Sequence, residues 1–154
     1  MELKQRTVLL IFGSAIFLCA IVLCLVVAKY KRAMLVDNLV TLIVSGEGNS
    51  QSALAAASDA IEAAGLEQEA ISKTIPFLKK PGIANLRARI YFGTSVKYPE
   101  PRLVDALLTM ANDPTFRISD RIDAAKIVLL LKPNAQKQRE AEIAVEKASE
   151  STVE

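Results

Sequence analysis

A stretch near the C-terminus, residues 103–131, decides the fold: LVDALLTMANDPTFRISDRIDAAKIVLLL. Two apolar segments with helical periodicity lie on either side of a turn at Asp113 and Pro114. Helices joined by a tight turn pack as an antiparallel hairpin. Ser119 can cap the second helix, whose run 127–131 is apolar on all sides. We therefore expect this to be the most buried helix of the chain.

The second helix of this hairpin carries Arg121, followed by Ala124 and Ala125, near its start and after the Asp-Pro turn. With these residues the hairpin, over about residues 103–132, resembles a HEAT-type repeat. The interval from the turn to the arginine is two residues longer than is usual in that family. HEAT-type arrays are binding scaffolds, so the resemblance implies recognition of a partner protein and not catalysis.

Upstream of the hairpin the hydrophobic periodicity is also helical, and it contains no strand pattern. An alanine-rich helix ends at Gly65, and Pro76 can kink the helix that follows. The segments FLKKPG (77–82) and LLLKPN (129–134) both end an apolar helix with Lys-Pro, which indicates a faint internal repeat. Together these patterns predict five or six short helices packed as antiparallel hairpins.

The N-terminal region has a different character. Residues 7–28, TVLLIFGSAIFLCAIVLCLVVA, contain no ionisable side chain other than the thiols of Cys19 and Cys24. As a helix these 22 residues span about 33 Å, enough to cross a hydrocarbon core of about 30 Å. Positive charges flank the segment on both sides: Lys4, Arg6, Lys29, Lys31 and Arg32. We predict a transmembrane helix, because the run exceeds the roughly 7–15 apolar residues of the alternative, a cleaved signal peptide.

The fold class predicted is therefore all-α, with one N-terminal transmembrane helix followed by a small α-solenoid-like domain of antiparallel helical hairpins. Four segments are expected: residues 1–45 with the transmembrane helix (about 7–28) and a juxtamembrane helical extension, a Gly/Ser hinge at 46–52, the helical-hairpin domain at 53–134, and a charged C-terminal helix and tail at 135–154. In the extension Leu35, Leu39 and Leu42 recur at near-helical spacing. The extension either continues the membrane helix or forms an interfacial or partner-binding helix.

One face of the predicted transmembrane helix carries mostly small side chains: Gly13, Phe17, Ala20, Cys24 and Ala28. The last three follow a small-xxx-small spacing, which lets two helices approach closely. Small residues are common in such helices, so chance is one explanation. The functional interpretation is that this face contacts another subunit of a membrane complex or a second copy of the chain.

The residue types available limit the chemistry. Histidine, the commonest general base and metal ligand, is absent, and no nucleophile–base, phosphate-loop or metal-ligand motif occurs. We therefore predict a protein that is not an enzyme and has no catalytic residue, metal site or cofactor. Asp120 and Asp123 share a helix face and could share a proton. Such spacing is ordinary on an amphipathic helix, where Arg117, Arg121 and Lys126 could pair with them.

Charge is divided into blocks along the chain. Residues 47–69 hold five acids and no base, whereas residues 70–102 hold seven bases and only one acid, Glu100. The bases form a candidate binding surface: Lys73, Lys79, Lys80, Arg87, Arg89, Lys97 and Arg102. They could contact a protein, anionic lipid headgroups or, least favoured, nucleic acid. Alternatively the acidic helix pairs with the basic block inside the domain, and both remain solvated.

These observations favour a single-pass accessory or scaffold subunit of a larger membrane protein complex, which binds a partner through its helical domain and packs by its anchor. The alternative is a membrane-tethered binder of polyanions, lipid headgroups or nucleic acid, that uses the basic block at 73–102. Both place the protein in the cell membrane. The flanking charges, two before the segment and three after it, nearly balance. The orientation in the membrane is therefore predicted from what is common among N-terminally anchored bacterial proteins, namely an extracytoplasmic C-terminal domain.

Overall fold

The computed structural model describes residues 2–45 and 51–150, with side chains from Cys19, 21–45 and 52–150. In this part of the chain all regular structure is helical, which confirms the predicted all-α class. The helices are α1 (Glu2–Ser45), α2 (Gln51–Ala63), α3 (Glu67–Thr74), α4 (Ile83–Ser95), α5 (Pro101–Asn112), α6 (Ile118–Leu131) and α7 (Ala135–Glu150), with a 3-10 helix (Ile75–Lys79) between α3 and α4. The predicted hinge at 46–52 lies mostly outside the described residues.

The chain forms two compact units, Met1–Leu35 and Val36–Glu154. The first holds the N-terminal part of α1, including the predicted span at 7–28. Among the residues described, no helix combines the length and the apolar character needed to cross a membrane. The side chains of residues 7–18 and Ala20 lie outside the described set.

The predicted packing face of the anchor is described only in part. The packing around Gly13, Phe17 and Ala20 lies outside the described set. Cys24 and Ala28, the remaining two members, are both exposed. The interpretation of this face as a helix–helix contact stays a prediction.

The centre of the second unit is formed by α5, α6 and α7, each of which packs against the other two. Leu107 of α5 and Val128 of α6 are completely buried there. On α7 the buried residues are Ala141, Ala144 and Ala148, whose small side chains let the helix lie close to its neighbours. The charged C-terminal helix, which the sequence set apart from the hairpin domain, is thus part of the same compact unit.

The connection between α5 and α6 is a short turn built on Asp113. Its carboxylate accepts hydrogen bonds from the backbone N–H and the hydroxyl of Thr115, at 2.9 and 2.7 Å. Phe116 is buried, and the helix follows at once, beginning at Ile118. The prediction that Ser119 caps α6 is therefore wrong, because this residue already lies in the first turn.

The burial of side chains on α6 differs from the prediction at Leu130. Within the run 127–131, Ile127, Val128 and Leu131 are buried, but Leu130 is 67% exposed. Its neighbours α5 and α7 cover only part of the helix, so an apolar residue on the remaining side faces solvent. Apolar sequence on all sides did not produce burial on all sides.

Helix ends follow the Gly and Pro signals in some places and not in others. Gly65 has φ +60°, the left-handed conformation of a residue that ends a helix, as predicted. The α-helix changes to a 3-10 helix at Ile75, beside Pro76, where the sequence predicted a kink. The two Lys-Pro stops differ, however. Lys132 is left-handed at φ 50°, ψ 56°, whereas Lys80 is extended at φ −135°, ψ 138°, so these two stops do not share a conformation.

Lys132→Gly is expected to raise the free energy of unfolding by about 0.5–1 kcal/mol. A left-handed backbone costs a non-glycine residue roughly 1–2 kcal/mol, and the greater freedom of glycine in the unfolded chain offsets part of that gain. The denaturation midpoint of the full chain in a neutral detergent measures the change. Lys80→Gly is the matched control, since glycine relieves nothing at an extended residue. A destabilised Lys132→Gly protein would contradict the assigned backbone conformation.

The last part of α1 packs into the second unit. Val36, Val40 and Ile43 are buried, whereas Leu35 and Leu42 are 44% and 43% exposed. Leu39 of the predicted stripe is buried with the first three, so the buried face overlaps the predicted one at Leu39 and departs from it at Leu35 and Leu42.

Polar contacts join this part of α1 to its neighbours. The Nε of Arg87 on α4 donates a hydrogen bond to the backbone oxygen of Ile43 at 2.8 Å. The ammonium of Lys73 on α3 pairs with Asp37. The residues predicted as a juxtamembrane extension thus contact α3 and α4 and cover part of the unit's own core.

Candidate functional site

A cleft of about 550 Å³ lies between α2, α3, the C-terminal half of α4 and the connection from α4 to α5. Its floor is apolar and is formed by Ile61, Ile71 and the ring of Tyr91, which are all buried. Its walls carry carboxylates and hydroxyls. A concave site with an apolar floor and a few polar groups is the usual form of a binding site.

The carboxylates come from the ends of helices that meet at the cleft. Asp59 and Glu62 lie in the second half of α2, and Glu67 lies in the first turn of α3, where a negative charge is favoured. Glu100 caps α5, and its Oε2 accepts a hydrogen bond from the backbone N–H of Leu103 at 2.7 Å. The turn at Gly65 brings the first three into one place, because α3 begins directly after it.

A single basic side chain, Lys97, lies among these four carboxylates. Its ammonium donates a hydrogen bond to Oε1 of Glu62 at 2.9 Å, and both side chains are about two-thirds exposed. The hydrogen bond with Glu62, and then the charge of that carboxylate, raise the pKa of Lys97. The lining of the cleft therefore keeps an excess of negative charge even with Lys97 in place.

Tyr91 is the buried polar residue of the site, with only 2% of its surface exposed. Its ring contacts Phe92, with centroids 5.4 Å apart. The hydroxyls of Ser58 and Ser95 are hydrogen-bonded to each other at 2.7 Å across α2 and α4. Burial, and secondarily the charge of Glu67, raise the pKa of Tyr91 to about 12.

The pKa of Tyr91 predicts a loss of stability in alkali. Below pH 10 the folded and unfolded chains both hold the phenol proton, so the group contributes no pH dependence. Between about pH 10 and about pH 12 the unfolded chain loses the proton first, which favours unfolding by up to about 1.4 kcal/mol per pH unit. Comparing denaturation of the wild-type chain with that of Tyr91→Phe across this range isolates the effect from lysine titration. Parallel pH profiles would contradict it.

The predicted basic surface is dispersed in the structure. Four of its seven members contact other protein groups: Lys73 pairs with Asp37, Arg87 donates to Ile43, Arg89 pairs with Asp120 and Asp123, and Lys97 pairs with Glu62. Lys79, Lys80 and Arg102 are exposed and form no ion pair with a described residue. The seven side chains are therefore not brought together as one binding surface.

Arg89 departs furthest from the expectation of a surface residue, because its side chain is only 4% exposed. Its guanidinium donates to Asp120 at 2.5 Å and to Asp123 at 2.8 Å. The two aspartates do share a helix face, but they bind this arginine from α4 and not Arg117, Arg121 or Lys126. Their role is structural, since both carboxylates are used by one buried cation.

The acidic cleft was not predicted from the sequence, although the sequence carries a signal for it. Residues 47–69 hold five acids and no base, and three of those acids line the cleft. Within the described ranges no group of three or more acidic or cysteine side chains could hold a metal ion. No known protein family, curated protein or solved structure matches this chain.

Proposed function

We propose that the protein is a membrane-anchored accessory or scaffold subunit whose compact helical unit binds a partner protein. The observation that carries the proposal is the cleft of about 550 Å³. It is open, has an apolar floor and is lined by polar groups from three helices and a connection, and it lacks a nucleophile with an adjacent base. Such a surface is suited to binding a segment of another protein rather than to catalysis.

The anchor in this proposal is the segment at 7–28. Its support is the sequence: 22 residues without a charged side chain, with lysine and arginine at both ends. The anchor holds the protein in the cell membrane, and the unit from Val36 onward lies on the extracytoplasmic side. Gly13, Phe17, Ala20, Cys24 and Ala28 form its contact with another subunit or a second copy.

The hairpin of α5 and α6 supports a scaffold of the HEAT type. The Nε of Arg121 donates a hydrogen bond to the backbone oxygen of Ala111 at 2.9 Å, which joins the start of α6 to the end of α5. Ala124 and Ala125, which follow this arginine, are completely buried. The Arg-x-x-Ala-Ala sequence therefore has a defined packing role, as a repeat built on this hairpin requires.

The alternative function, a tethered polyanion binder, has weaker support. Of the predicted basic surface, Lys79, Lys80 and Arg102 form neither an ion pair nor a side-chain hydrogen bond with a described residue, and Arg87 is held by a backbone oxygen. Reversing these three charges should abolish binding to vesicles that contain anionic lipid if the alternative is right, and the wild-type binding should fall steeply with salt.

The native mass of a C-terminally tagged chain, isolated in mild detergent from its own host at native level, tests the proposed function. A defined assembly larger than the 16.7 kDa chain, with partners in constant ratio, is the expected result. A bare monomer or a homo-oligomer would contradict a scaffold that binds another protein.

Ala20→Leu combined with Cys24→Leu is expected to reduce the recovery of that assembly while membrane insertion is retained. The larger side chains keep the helix apolar but prevent close approach of a second helix. Val22→Leu combined with Val26→Leu, on the opposite side of the helix and at the same i, i+4 spacing, is the matched control. Recovery and carbonate-resistant membrane association are measured together, and an unchanged assembly in the first variant would contradict the packing face.

A further inference from the structure

Helix α4 carries an apolar stripe that the other described elements leave exposed. Ile83, Leu86 and Ile90 follow one another at i, i+3 and i+7, so they lie on one side of the helix. Their side chains are 64%, 41% and 41% exposed. Single apolar residues are ordinary on a protein surface, but a run at helical spacing is the form in which one helix offers contacts to another.

Helix α6 lies beside this stripe. Arg89 of α4 pairs with Asp123 of α6. One turn later on both helices Gly93 faces Ile127, because a Cβ added at the glycine would lie 3.5 Å from that side chain. The contacts advance in the same direction along the two helices, so α4 and α6 lie side by side and parallel. Leu86 is two turns before Gly93, which places it on the side of α4 next to α6.

Gly93 leaves a gap at the end of the stripe. The residue is exposed and has no side chain, so the side chain of Ile127 forms the floor of a depression between the two helices. Ile90 borders the depression on α4, three residues before the glycine. Leu130 borders it on α6, three residues after Ile127 on the adjoining exposed side. The α4–α6 groove is formed by Ile83, Leu86, Ile90, Gly93, Ile127 and Leu130.

The available charges around this groove are positive. Lys79 and Lys80 immediately precede the stripe on α4, and Lys126 lies on the exposed side of α6. All three side chains are exposed and form no ion pair with a described residue. The two aspartates of α6 beside the groove are already bound by Arg89. An occupant that carries carboxylates around an apolar face is therefore favoured over a neutral or basic one.

We propose that the α4–α6 groove binds an acidic amphipathic helix of a partner protein. The apolar residues of that helix pack between Ile90 and Leu130, with one side chain in the depression at Gly93, and its carboxylates meet the lysines at the rim. This surface goes beyond the proposed function, because it shares no residue with the lining of the cleft. It also gives a role to Leu130, an exposed leucine on which the packing of the unit does not depend.

The chain contains no tryptophan, so a single introduced tryptophan reports on the groove alone. The full-length Leu130→Trp variant is placed in nanodiscs of phosphatidylcholine. The probe is a synthetic amphipathic helix with leucine on one face and glutamate on the other. Titration with this peptide should shift the tryptophan emission to the blue and should saturate. A peptide of the same composition with its leucines shuffled, and one with lysine in place of glutamate, should bind about tenfold more weakly or less.

Gly93→Leu in the same background separates binding from folding. The added side chain fills the depression and should weaken the acidic peptide about tenfold or more, although leucine favours a helix more than glycine does. Gly93→Ala is the matched control, since its methyl group makes an ordinary contact with Ile127 and should change affinity little. Lys79→Glu with Lys80→Glu should weaken binding several-fold. Ile143→Gln, exposed on α7 outside the groove, should leave it unchanged. Circular dichroism establishes that each variant is folded.

Three results would overturn the proposal: equal binding of the shuffled peptide, no effect of Gly93→Leu, or an equal loss in Ile143→Gln. Two more would assign the groove to another occupant. A blue shift without peptide in nanodiscs that contain phosphatidylglycerol would mean that lipid covers it, and a shift that grows with protein concentration in detergent would mean a second copy. A wild-type chain without stoichiometric partners would overturn the proposed function but not the groove, because the peptide measurement depends on neither the cleft nor the anchor.

Discussion

Asp120→Asn combined with Asp123→Asn is expected to lower the free energy of unfolding by about 3–5 kcal/mol. The side chain of Arg89 is only 4% exposed, so its guanidinium lies in the interior. The two carboxylates are its counterions, at 2.5 and 2.8 Å. Without them a cation remains in the interior with neutral amides in place of its ion pairs.

The same network fixes α4 against its surroundings. The Nε of Arg89 donates to the side-chain oxygen of Asn85 at 3.0 Å, and the amide nitrogen of Asn85 donates to the backbone oxygen of Leu78 at 3.0 Å. One chain of hydrogen bonds therefore runs from α6 through α4 to the 3-10 helix. Loss of the aspartates should weaken the alignment of these three elements together.

Denaturant unfolding of the single, double and triple variants measures the network. Arg89→Met added to the two asparagines should recover part of the lost stability, because no unpaired charge then remains in the interior. Asp105→Asn, which removes the exposed partner of Lys137 on α7, should change little. A double variant no less stable than Asp105→Asn would contradict the role given to Arg89.

Leu107→Ala is expected to lower the free energy of unfolding by about 2–5 kcal/mol, and Leu130→Ala by no more than about 0.5 kcal/mol. The chemical change is identical, and both residues lie in neighbouring helices of the same bundle. Leu107 is completely buried in the centre of α5, so its truncation removes apolar contacts and leaves a cavity. Leu130 is 67% exposed and has few contacts to lose.

The two leucines test the burial predicted from the sequence against the burial seen in the structure. From the sequence, Leu130 belongs to the run 127–131 that is apolar on all sides and should be the more deeply buried of the two. Urea midpoints for the two variants decide the matter with the same probe. Similar losses would contradict the difference in burial between the two sites.

The helices themselves could be predicted because their signals are local. Apolar residues three and four apart mark a helix within a window of a few turns, and Gly65 and the turn at Asp113 and Pro114 mark where helices stop. Local signals were insufficient where two neighbouring residues were equally suited to be buried or to begin a helix. The buried face of α1 lies at Val36, not Leu35, and α6 begins before Ser119, because neighbouring helices and the buried ring of Phe116 select between them.

The site illustrates the same limit. The concentration of acids at 47–69 is visible in the sequence, and it is the source of three of the four carboxylates in the cleft. The cleft and the burial of Tyr91 are not visible there, because both depend on how α2, α3 and α4 meet. The basic block at 70–102 was equally visible, but its members were distributed by packing into separate contacts.

What the sequence by itself determined is the helical class, most helix ends and the segregation of charge, because each depends on residues close together in the chain. Only the tertiary structure decided which charges meet. Arg89 reaches aspartates 31 and 34 positions away, and Lys97 reaches a glutamate 35 positions away. Periodicity identifies the face that a helix buries, but not the helix that covers it, so partners separated by such distances follow only from packing.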